Sequence, residues 1–257
     1  MERSLLTISA FWLGAALGSF ANAAAMRTAA GRKWWGAERS VCDSCGKELS
    51  ARDLIPVVSF IALGGRCRSC GAKIPLRHFT AELAAAAVLS FAALRFGLSS
   101  ALFFSAAALP FAAFHTLTDI ETGYIYDSWA IAMAAAGLLL RVQHGAAALA
   151  DGAAGAAAGF ASMCAIIAAS RGKMGLGDAM LAAGIGAFMG LKMTFAALYL
   201  AFLAGGITVL PLLIAKKVTR RTAVPFGPFL CAGMLAAMFF GSTVLTLFGF
   251  MPSWPWL

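Results

Sequence analysis

The sequence predicts an all-α polytopic membrane protein with about eight transmembrane helices and a small cytoplasmic domain of the zinc-ribbon type after the first helix. Of its 257 residues, 61% are hydrophobic and only 12% are charged, whereas a soluble domain carries about 25% charged residues. Apolar stretches recur along nearly the whole chain, and each membrane crossing needs roughly 20 such residues. One polar stretch, residues 26–78, interrupts this pattern and contains four of the six cysteines.

The apolar stretches divide the chain into three parts. Residues 1–25 form the first transmembrane helix, residues 26–78 form the four-cysteine domain, and residues 79–257 form the remaining membrane core. Two of the expected crossings are short. The expected spans are residues 4–25, 79–96, 100–118, 128–142, 146–168, 178–191, 194–214 and 229–250.

The distribution of basic residues predicts the orientation of these spans. With residue 1 outside, sixteen of the 20 basic residues fall in cytoplasmic segments, and basic residues near span ends are retained on that side. The formal net charge of +9 therefore reflects topology and attraction to anionic lipid headgroups. It does not indicate a nucleic-acid partner.

A cleaved signal peptide is the alternative interpretation of the first helix, because Ala21, Asn22 and Ala23 suit a small-residue cleavage site. The apolar stretch is too long for that interpretation, and Arg27 and Arg32 follow it as a retention signal. We therefore expect this segment to remain as a transmembrane helix.

The polar stretch contains two CxxC pairs separated by 21 residues, which is close to the spacing of zinc ribbons. A glycine follows each pair and suits the tight turn that directs backbone amides at the ligand sulfurs. A reducing cytoplasm disfavours two disulfides. We expect a closed structural Zn²⁺ site that stabilises a domain too small to bury much core. Its ligands are Cys42, Cys45, Cys67 and Cys70.

The predicted topology brings two acidic residues, Asp119 and Asp178, to the same membrane face. Asp119 ends the third span and Asp178 begins the sixth. Ionisable residues at membrane depth are costly and are therefore candidates for function. Two carboxyl groups held close together share a proton, as an aspartyl dyad does when it hydrolyses a peptide bond. The alternative is that Asp119 caps a helix end or pairs with a basic loop, and that Asp178 is an N-cap.

Other polar residues near the spans have weaker functional signals. Asp127 precedes a span, where an N-cap is favoured, and Asp151 lies in an outer turn where we expect it to be solvated. Glu82 lies at the start of the second span. Its role is either structural, as part of a buried ion pair or as an interfacial anchor, or functional, as a contact to the substrate. His115 precedes Asp119 by four residues, so both lie on the same face of a helix. We expect its imidazole to influence the proton affinity of the aspartate pair from this position.

Several short motifs occur in a fixed order along almost the whole chain. They are GSFAN at 18–22 with Arg27, the cysteine box with LIPVVSF at 54–60 and LGGRCRSC at 63–70, EL at 82–83, GLGD at 175–178, and VPFGPF at 224–229. Asp119 lies eight residues before Asp127. Together these motifs resemble those of the bacterial type IV prepilin peptidases, the leader peptidase/N-methyltransferases among the GxGD aspartyl proteases.

The resemblance implies an enzyme that removes the basic leader of prepilins or pseudopilins, after a glycine, at the cytoplasmic face of the bacterial inner membrane. It makes residues 79–257 the peptidase core, with Asp119 and Asp178 as its catalytic aspartates. In many members it also implies methylation of the new N-terminus with S-adenosylmethionine as donor, and the cysteine box is typical of these two-function members. The same match assigns supporting roles to Glu82, Asp127, Gly175 and Gly177, and a place near the methyl donor to Gly65.

Three positions depart from the family's pattern. Tyr126 stands where the family has proline, and Met180 stands where it commonly has lysine. Residues 77–79 read Arg-His-Phe where the family has Arg-Tyr-Pro. The first two departures leave both aspartates in place, so they bear on loop geometry and substrate choice. The third lies outside the dyad.

Two alternative functions remain open from the sequence. One is a peptidase without methyl transfer, in which the zinc domain is a scaffold. The other is a non-enzymatic, zinc-anchored subunit of a membrane assembly or transporter, in which the aspartates relay protons or pack. The sequence indicates neither the pilin or secretion system served nor the oligomeric state.

Overall fold

The computed structural model describes residues 2–36, 39–170, 174–217, 219 and 224–251. These residues form α-helices joined by short turns, and their β-structure is limited to two isolated bridges. The predicted all-α class is confirmed, and a helix lies at each of the eight expected spans. The helices are α1 Glu2–Ala29, α2 Val58–Ala62, α3 Leu76–Phe96, α4 Ser100–Thr122, α5 Asp127–Val142, α6 Ala146–Ala169, α7 Leu176–Met189, α8 Leu191–Ile214 and α9 Gly227–Leu247.

Six of these helices are long and apolar enough to cross a membrane, namely α1, α3, α4, α6, α8 and α9. The protein is thus a multi-pass membrane protein. The 16 residues of α5 and the 14 residues of α7 are fewer than a full crossing requires. At 1.5 Å per residue, α7 is about 21 Å long, whereas the hydrocarbon core is about 30 Å thick. At least one end of α7 therefore lies within the hydrocarbon core, where its unpaired backbone N–H or C=O groups need hydrogen-bond partners from the protein itself.

The chain divides into two compact units, Met1–Leu98 and Ser99–Leu257. In the first unit, α1 packs along α3, and glycines set how closely the two backbones approach. A Cβ atom on Gly14 would lie 2.6 Å from the carbonyl oxygen of Ala85, and one on Gly18 would lie 2.7 Å from that of Ala81. Small residues permit this close packing where no hydrophobic effect drives helices together.

The segment between α1 and α3 has almost no hydrophobic core. Of its described residues from 30 to 75, only Val57 and Cys67 are buried. A short 3₁₀ helix, Ala51–Leu54, and α2 connect its two cysteine pairs. Such a segment cannot be held by burial alone, as expected for a domain that folds around a metal ion.

In the second unit, α7 is enclosed by α5, α6, α8 and α9. Gly155 on α6 and Gly186 on α7 bring the two backbones into contact, since a Cβ on either glycine would overlap the other's carbonyl group. Helix α9 packs against both α4 and α7. This arrangement places α9 beside the two helices that carry Asp119 and Asp178.

A buried arginine, Arg141, satisfies the C-terminal end of the short helix α7. Its guanidinium group is fully buried and donates hydrogen bonds to the carbonyl oxygens of Ala187, at 3.0 Å, and Phe188, at 2.9 Å. These oxygens belong to the last turn of α7, where carbonyl groups have no partner within the helix. Arg141 therefore supplies the hydrogen bonds that lipid cannot.

The same arginine forms an ion pair with Asp151, at 3.0 Å. The other carboxylate oxygen of Asp151 accepts the N–H of Leu191, at 3.1 Å. The expectation that Asp151 is solvated in an outer turn holds in part, since its side chain is 32% exposed, but Asp151 lies on α6 and its carboxylate pairs with the buried guanidinium. The pair ties the start of α6 to the junction between α7 and α8.

We predict that Arg141→Met destabilises the protein by about 2–6 kcal/mol, because it leaves the buried carbonyl oxygens of Ala187 and Phe188 without donors, at about 1–3 kcal/mol each. Unfolding of the purified protein in detergent, by heat or by a denaturing surfactant, measures the effect. Arg95→Met is the matched control, because Arg95 is exposed, and an exposed charge contributes at most about 1 kcal/mol. Equal effects of the two substitutions would contradict the role given to Arg141.

Candidate active site and cysteine centre

Asp119 lies in the last turn of α4 and is only 5% exposed. Gly123, in the left-handed conformation at φ 68°, ends this helix and donates its N–H to the carbonyl oxygen of Asp119 at 2.9 Å. The Asp119 carboxylate accepts the N–H of Gly227, the first residue of α9, at 2.7 Å. Asp119 thus does cap a helix end, but that helix is α9 and not its own.

Gly227 approaches Asp119 so closely that no side chain fits between them. A Cβ atom at this position would lie 2.8 Å from Oδ2 of Asp119 and 3.2 Å from its Cβ. Gly227 belongs to the VPFGPF motif, for which sequence reasoning gave no function. The structure gives one: this glycine lets the N-terminus of α9 bind and orient the Asp119 carboxyl group.

Asp178 is the third residue of α7 and is 8% exposed. The N-cap position belongs to Gly175, whose carbonyl oxygen accepts the N–H of Asp178 at 3.1 Å. The alternative that Asp178 is simply an N-cap is therefore wrong. A carboxylate in the first turn of a helix is favoured by the helix dipole, as the sequence predicted.

The two carboxyl groups lie on helices that both pack against α9, and Asp119 binds the first residue of that helix. Neither has a described salt-bridge partner. Both are buried at helix ends within the second unit, Asp119 at the end of α4 and Asp178 at the start of α7. Two buried carboxyl groups in each other's field favour a state in which one of them keeps a proton.

The sequence motifs next to the two aspartates contain both closely packed and exposed residues. A Cβ on Gly177 would lie 3.0 Å from Cβ of Ile125, whereas one on Gly175 would meet open space. Close packing therefore explains the second glycine of the GLGD motif but not the first. Asp127 is exposed and is the first residue of α5, while Tyr126 holds the N-cap. The favoured N-cap for Asp127 was off by one position.

His115 is fully buried one turn before Asp119 on α4. Neither of its ring nitrogens makes a hydrogen bond within the described part of the chain. Its ring lies edge-on to that of Phe114, with centroids 5.4 Å apart. The predicted tuning of Asp119 through direct contact has no hydrogen bond to support it.

The four cysteines come together in the first unit as the spacing predicts. The Sγ atoms of Cys42, Cys45, Cys67 and Cys70 all lie within 4.8 Å of one another, and those of Cys42 and Cys70 are 3.9 Å apart. Zn–S bonds of about 2.3 Å in a tetrahedron place the sulfurs roughly 3.8 Å apart. The cluster therefore fits a tetrahedral metal ion.

The two CxxC pairs adopt the same local structure. Gly46, at φ 69°, donates its N–H to the carbonyl oxygen of Cys42, and Gly71, at φ 70°, does the same to Cys67. Backbone N–H groups of Cys70 and Ser69 stabilise the Cys67 thiolate and lower its pKa to about 6. The glycine turns thus direct amides at the sulfur, as expected.

An ion pair fixes the linker between the two knuckles. The Asp53 carboxylate accepts hydrogen bonds from Ser50 and, at 2.8 Å, from Arg68 in the second CxxC pair. The Ser50 hydroxyl, followed by the Arg68 guanidinium, lowers the pKa of Asp53 to about 2. Asp53 is therefore ionised throughout the physiological range.

Glu82 is 9% exposed, and its carboxylate accepts the N–H of Val57 at 2.7 Å. Val57 has a φ of 65°, which is a strained backbone conformation for a β-branched residue. It is the central residue of a tight turn, in which the N–H of Val58 donates to the carbonyl oxygen of Pro56 at 2.6 Å. Glu82 thus holds a strained turn of the cysteine segment against α3. This hydrogen bond was not among the roles that the sequence suggested.

Gly65 lies in the predicted tight turn, with Gly64 and Gly65 at φ 57° and 66°. A Cβ on Gly65 would lie 3.0 Å from the ring of Phe60, and its carbonyl oxygen accepts the N–H of Ile74 at 2.8 Å. The glycine therefore supports the position of Phe60. Its predicted place near a methyl donor stays a prediction.

Comparison with known proteins places these sites in one family. Residues 12–96 match the bacterial peptidase A24 N-terminal domain, and residues 104–210 match the type IV leader peptidase family. The chain is 32% identical over 216 residues to the prepilin leader peptidase/N-methyltransferase of Bacillus subtilis, covering 82% of this chain and 86% of that protein. This chain belongs to the type IV leader peptidase family.

Other family members with the same name are similarly related. The protein from Burkholderia pseudomallei is 33% identical, with 82% of this chain and 70% of that protein covered. The one from Pseudomonas aeruginosa is 29% identical, with 80% and 72% covered. No solved structure matches the chain. The two matched domains fall on either side of the boundary between the compact units of this family member.

Removing one thiolate of the cysteine cluster tests its assignment as a metal site. We predict that Cys67→Ser lowers the bound metal of the purified protein at least tenfold, because a closed tetrahedral site needs all four ligands. Elemental analysis of the full-length protein measures this. Cys164→Ser is the matched control, since Cys164 lies on α6 outside the cluster. Full metal content in Cys67→Ser would overturn the assignment.

Proposed function

We propose that this protein is a membrane-embedded aspartyl protease that cleaves the basic leader of type IV prepilins or pseudopilins after glycine, with Asp119 and Asp178 as its catalytic pair. The observation that carries the proposal is the burial of two carboxyl groups at the ends of α4 and α7, two helices that both pack against α9. The names of its relatives indicate the substrate class.

The proposed hydrolysis needs one ionised and one protonated aspartate. The ionised carboxylate takes a proton from water, and the resulting hydroxide attacks the scissile carbonyl carbon. The protonated partner donates to the carbonyl oxygen, and proton transfer to the amide nitrogen then lets the C–N bond break. The pair needs no nucleophilic side chain. Binding of the substrate's apolar helix by the surrounding membrane helices would bring its scissile bond to the carboxyl groups.

Helix ends favour negative charge on both members of the pair. Asp178 lies in the first turn of α7. Asp119 lies in the last turn of α4, whose dipole disfavours negative charge, but its carboxylate accepts the N–H of Gly227 at the N-terminus of α9, which favours the ionised form. Either aspartate can therefore act as the base at the first step, with the other as the acid.

The cysteine cluster is proposed to hold a structural Zn²⁺ ion. Four thiolates, two glycine turns and backbone N–H donors are the ligand set and local structure of closed zinc sites. The ion would supply folding energy to a segment with two buried residues between positions 30 and 75 of its described part. It takes no part in the hydrolysis.

We also propose N-methylation of the new N-terminus, with S-adenosylmethionine as donor, because the relatives that match over most of the chain carry this activity in their names. The match includes the N-terminal unit with its cysteine cluster. Peptidase activity alone, with the cluster as scaffold, is the alternative, and product mass distinguishes the two.

The proposed location is the bacterial inner membrane, with the cysteine segment and the ends of α4 and α7 that carry the aspartates on the cytoplasmic side. The distribution of basic residues supports this orientation, since sixteen of 20 fall in the segments so placed. Those residues also favour contact with anionic lipid headgroups.

Replacing either aspartate tests the catalytic pair. We predict that Asp119→Asn and Asp178→Asn each reduce cleavage of a prepilin-like peptide by at least about 10³-fold, since each removes one half of the acid–base pair. Mass spectrometry of the product measures both cleavage and N-methylation. Glu121→Gln, at an exposed acidic position on the same helix as Asp119, is the matched control and should keep normal cleavage. Normal cleavage by either Asp119→Asn or Asp178→Asn would refute the pair.

Gly227 allows a second, steric test of the same site. We predict that Gly227→Ala lowers kcat for leader cleavage about 10- to 100-fold, because the new methyl group displaces the Asp119 carboxyl and small misplacements of catalytic groups are costly. Gly206→Ala is the control, since a Cβ there meets nothing within 4 Å. Equal rates for the two variants would show that the contact does not position Asp119.

A further inference from the structure

The chain leaves α1 through a short segment of basic and aromatic side chains. Residues 32–35 read Arg-Lys-Trp-Trp and are called the basic-aromatic segment below. All four are exposed, with Trp34 at 36% and Trp35 at 60%. Exposed apolar side chains that lie together mark a surface for interaction with a partner or a membrane. The two indoles therefore need an apolar environment from outside the protein's own core.

Trp34 folds back onto the membrane-spanning part of α1. Its ring lies edge-on to the ring of Phe20, with centroids 6.2 Å apart, and edge-on to the ring of Trp35, at 5.3 Å. The Arg27 guanidinium donates a hydrogen bond to the carbonyl oxygen of Trp34 at 3.4 Å. Phe20 precedes Arg27 by seven residues, which is about 10 Å along the helix axis. Trp34 therefore extends from the level of Arg27 toward the apolar part of α1.

Phe20 belongs to the face of α1 that points away from α3. Ile8, Trp12 and Phe20 are spaced by four and eight residues, so they lie on one stripe of the helix, and all three are exposed. Gly14 and Gly18 contact α3 from the opposite face. Because α1 is long and apolar enough to cross the membrane, the exposed stripe is the face that contacts lipid acyl chains. Trp34 packs at the C-terminal end of this face.

The length of α1 places these aromatic rings at the edge of the bilayer. Arg3 and Arg27 are the charged residues on either side of its apolar stretch. The 24 positions between them correspond to about 36 Å of helix, whereas the hydrocarbon core is about 30 Å thick. Arg27 therefore lies just outside the hydrocarbon core and Phe20 just inside it. Indole rings favour this boundary, because their apolar surface contacts acyl chains while the N–H group reaches water or headgroups.

We propose that the basic-aromatic segment binds an anionic phospholipid surface, with the indoles of Trp34 and Trp35 at the edge of the acyl chains and the side chains of Arg32 and Lys33 against the headgroup phosphates. Charge complementarity supports an anionic lipid, since residues 27–36 include three basic residues and no acidic one. The segment thereby fixes the start of the cysteine segment at the membrane surface. This inference does not depend on the proposed cleavage or methyl transfer.

Depth-dependent fluorescence quenching tests the position of the two indoles. The purified full-length protein is reconstituted into vesicles of phosphatidylcholine and phosphatidylglycerol whose acyl chains carry bromine near either the headgroup end or the methyl end. The signal of Trp34 and Trp35 is the difference between wild type and Trp34→Phe/Trp35→Phe. We expect bromine near the headgroup end to quench this signal more strongly. Trp12 is the matched control, because it lies deeper on the same face of α1 and should be quenched more by bromine near the methyl end.

Removing the two charges tests the preference for anionic lipid. At equal mole fraction in a phosphatidylcholine bilayer, we expect brominated phosphatidylglycerol to quench the Trp34 and Trp35 signal at least about twofold more than brominated phosphatidylcholine does. Arg32→Gln/Lys33→Gln should abolish that difference. Arg95→Gln/Lys192→Gln is the matched control, because it removes the same charge from two exposed positions outside the segment and should keep the difference.

Quenching of the Trp34 and Trp35 signal by aqueous iodide, and by neither brominated lipid, would show that the segment faces water and would overturn the proposal. A depth profile equal to that of Trp12 would do the same. Equal quenching of wild type by the anionic and the zwitterionic lipid would overturn the role given to Arg32 and Lys33. Unchanged helix content by circular dichroism shows that each variant is folded. If the double tryptophan variant fails this check, Trp35→Phe alone provides the difference signal.

Discussion

The central constraint on this protein is that polar groups inside a bilayer must find their partners within the chain. The short helix α7 shows how the second unit meets it. Arg141 binds the carbonyl groups at its C-terminal end, and Asp178 lies in its first turn. Because α7 is about 21 Å long, fixing its C-terminal end also fixes the depth at which Asp178 lies. The ion pair of Arg141 with Asp151 is therefore part of what positions Asp178 at the opposite end of the helix.

The cysteine segment meets a different constraint, which is its small size. It buries too few residues to fold through the hydrophobic effect, so its structure depends on discrete polar interactions. The cysteine cluster joins its two knuckles, the ion pair of Asp53 and Arg68 holds its linker, and Glu82 holds the strained turn at Val57. The positive φ of Val57 is energetically unfavourable and persists only where the surrounding contacts hold the backbone in that conformation. Here the surroundings include the Glu82 carboxylate, so the geometry of the turn depends on its contact with α3.

The sequence predicts the helices, the cysteine cluster and the two aspartates because each has a local signal: apolar length, CxxC spacing or charge at membrane depth. It does not predict contacts between residues far apart in the chain. The hydrogen bond from Gly227 to Asp119 spans 108 positions and that from Val57 to Glu82 spans 25. The VPFGPF motif was visible as a pattern, but only packing of α9 against α4 shows what its glycine does. The partner of Asp151 was missed for the same reason, since Arg141 lies on α5 and reaches Asp151 only when α5 and α6 pack together.

Unsatisfied buried polar atoms occur in different settings in the described part of the chain. Asn22 Oδ1 lies on the wall of a pocket in the first unit. The His115 imidazole is also buried without a hydrogen bond, yet it packs against Phe114 within α4. A buried polar group without a partner costs roughly 1–3 kcal/mol, so the packing around each side chain has to hold it in place. Access from a pocket is what distinguishes Asn22 from His115.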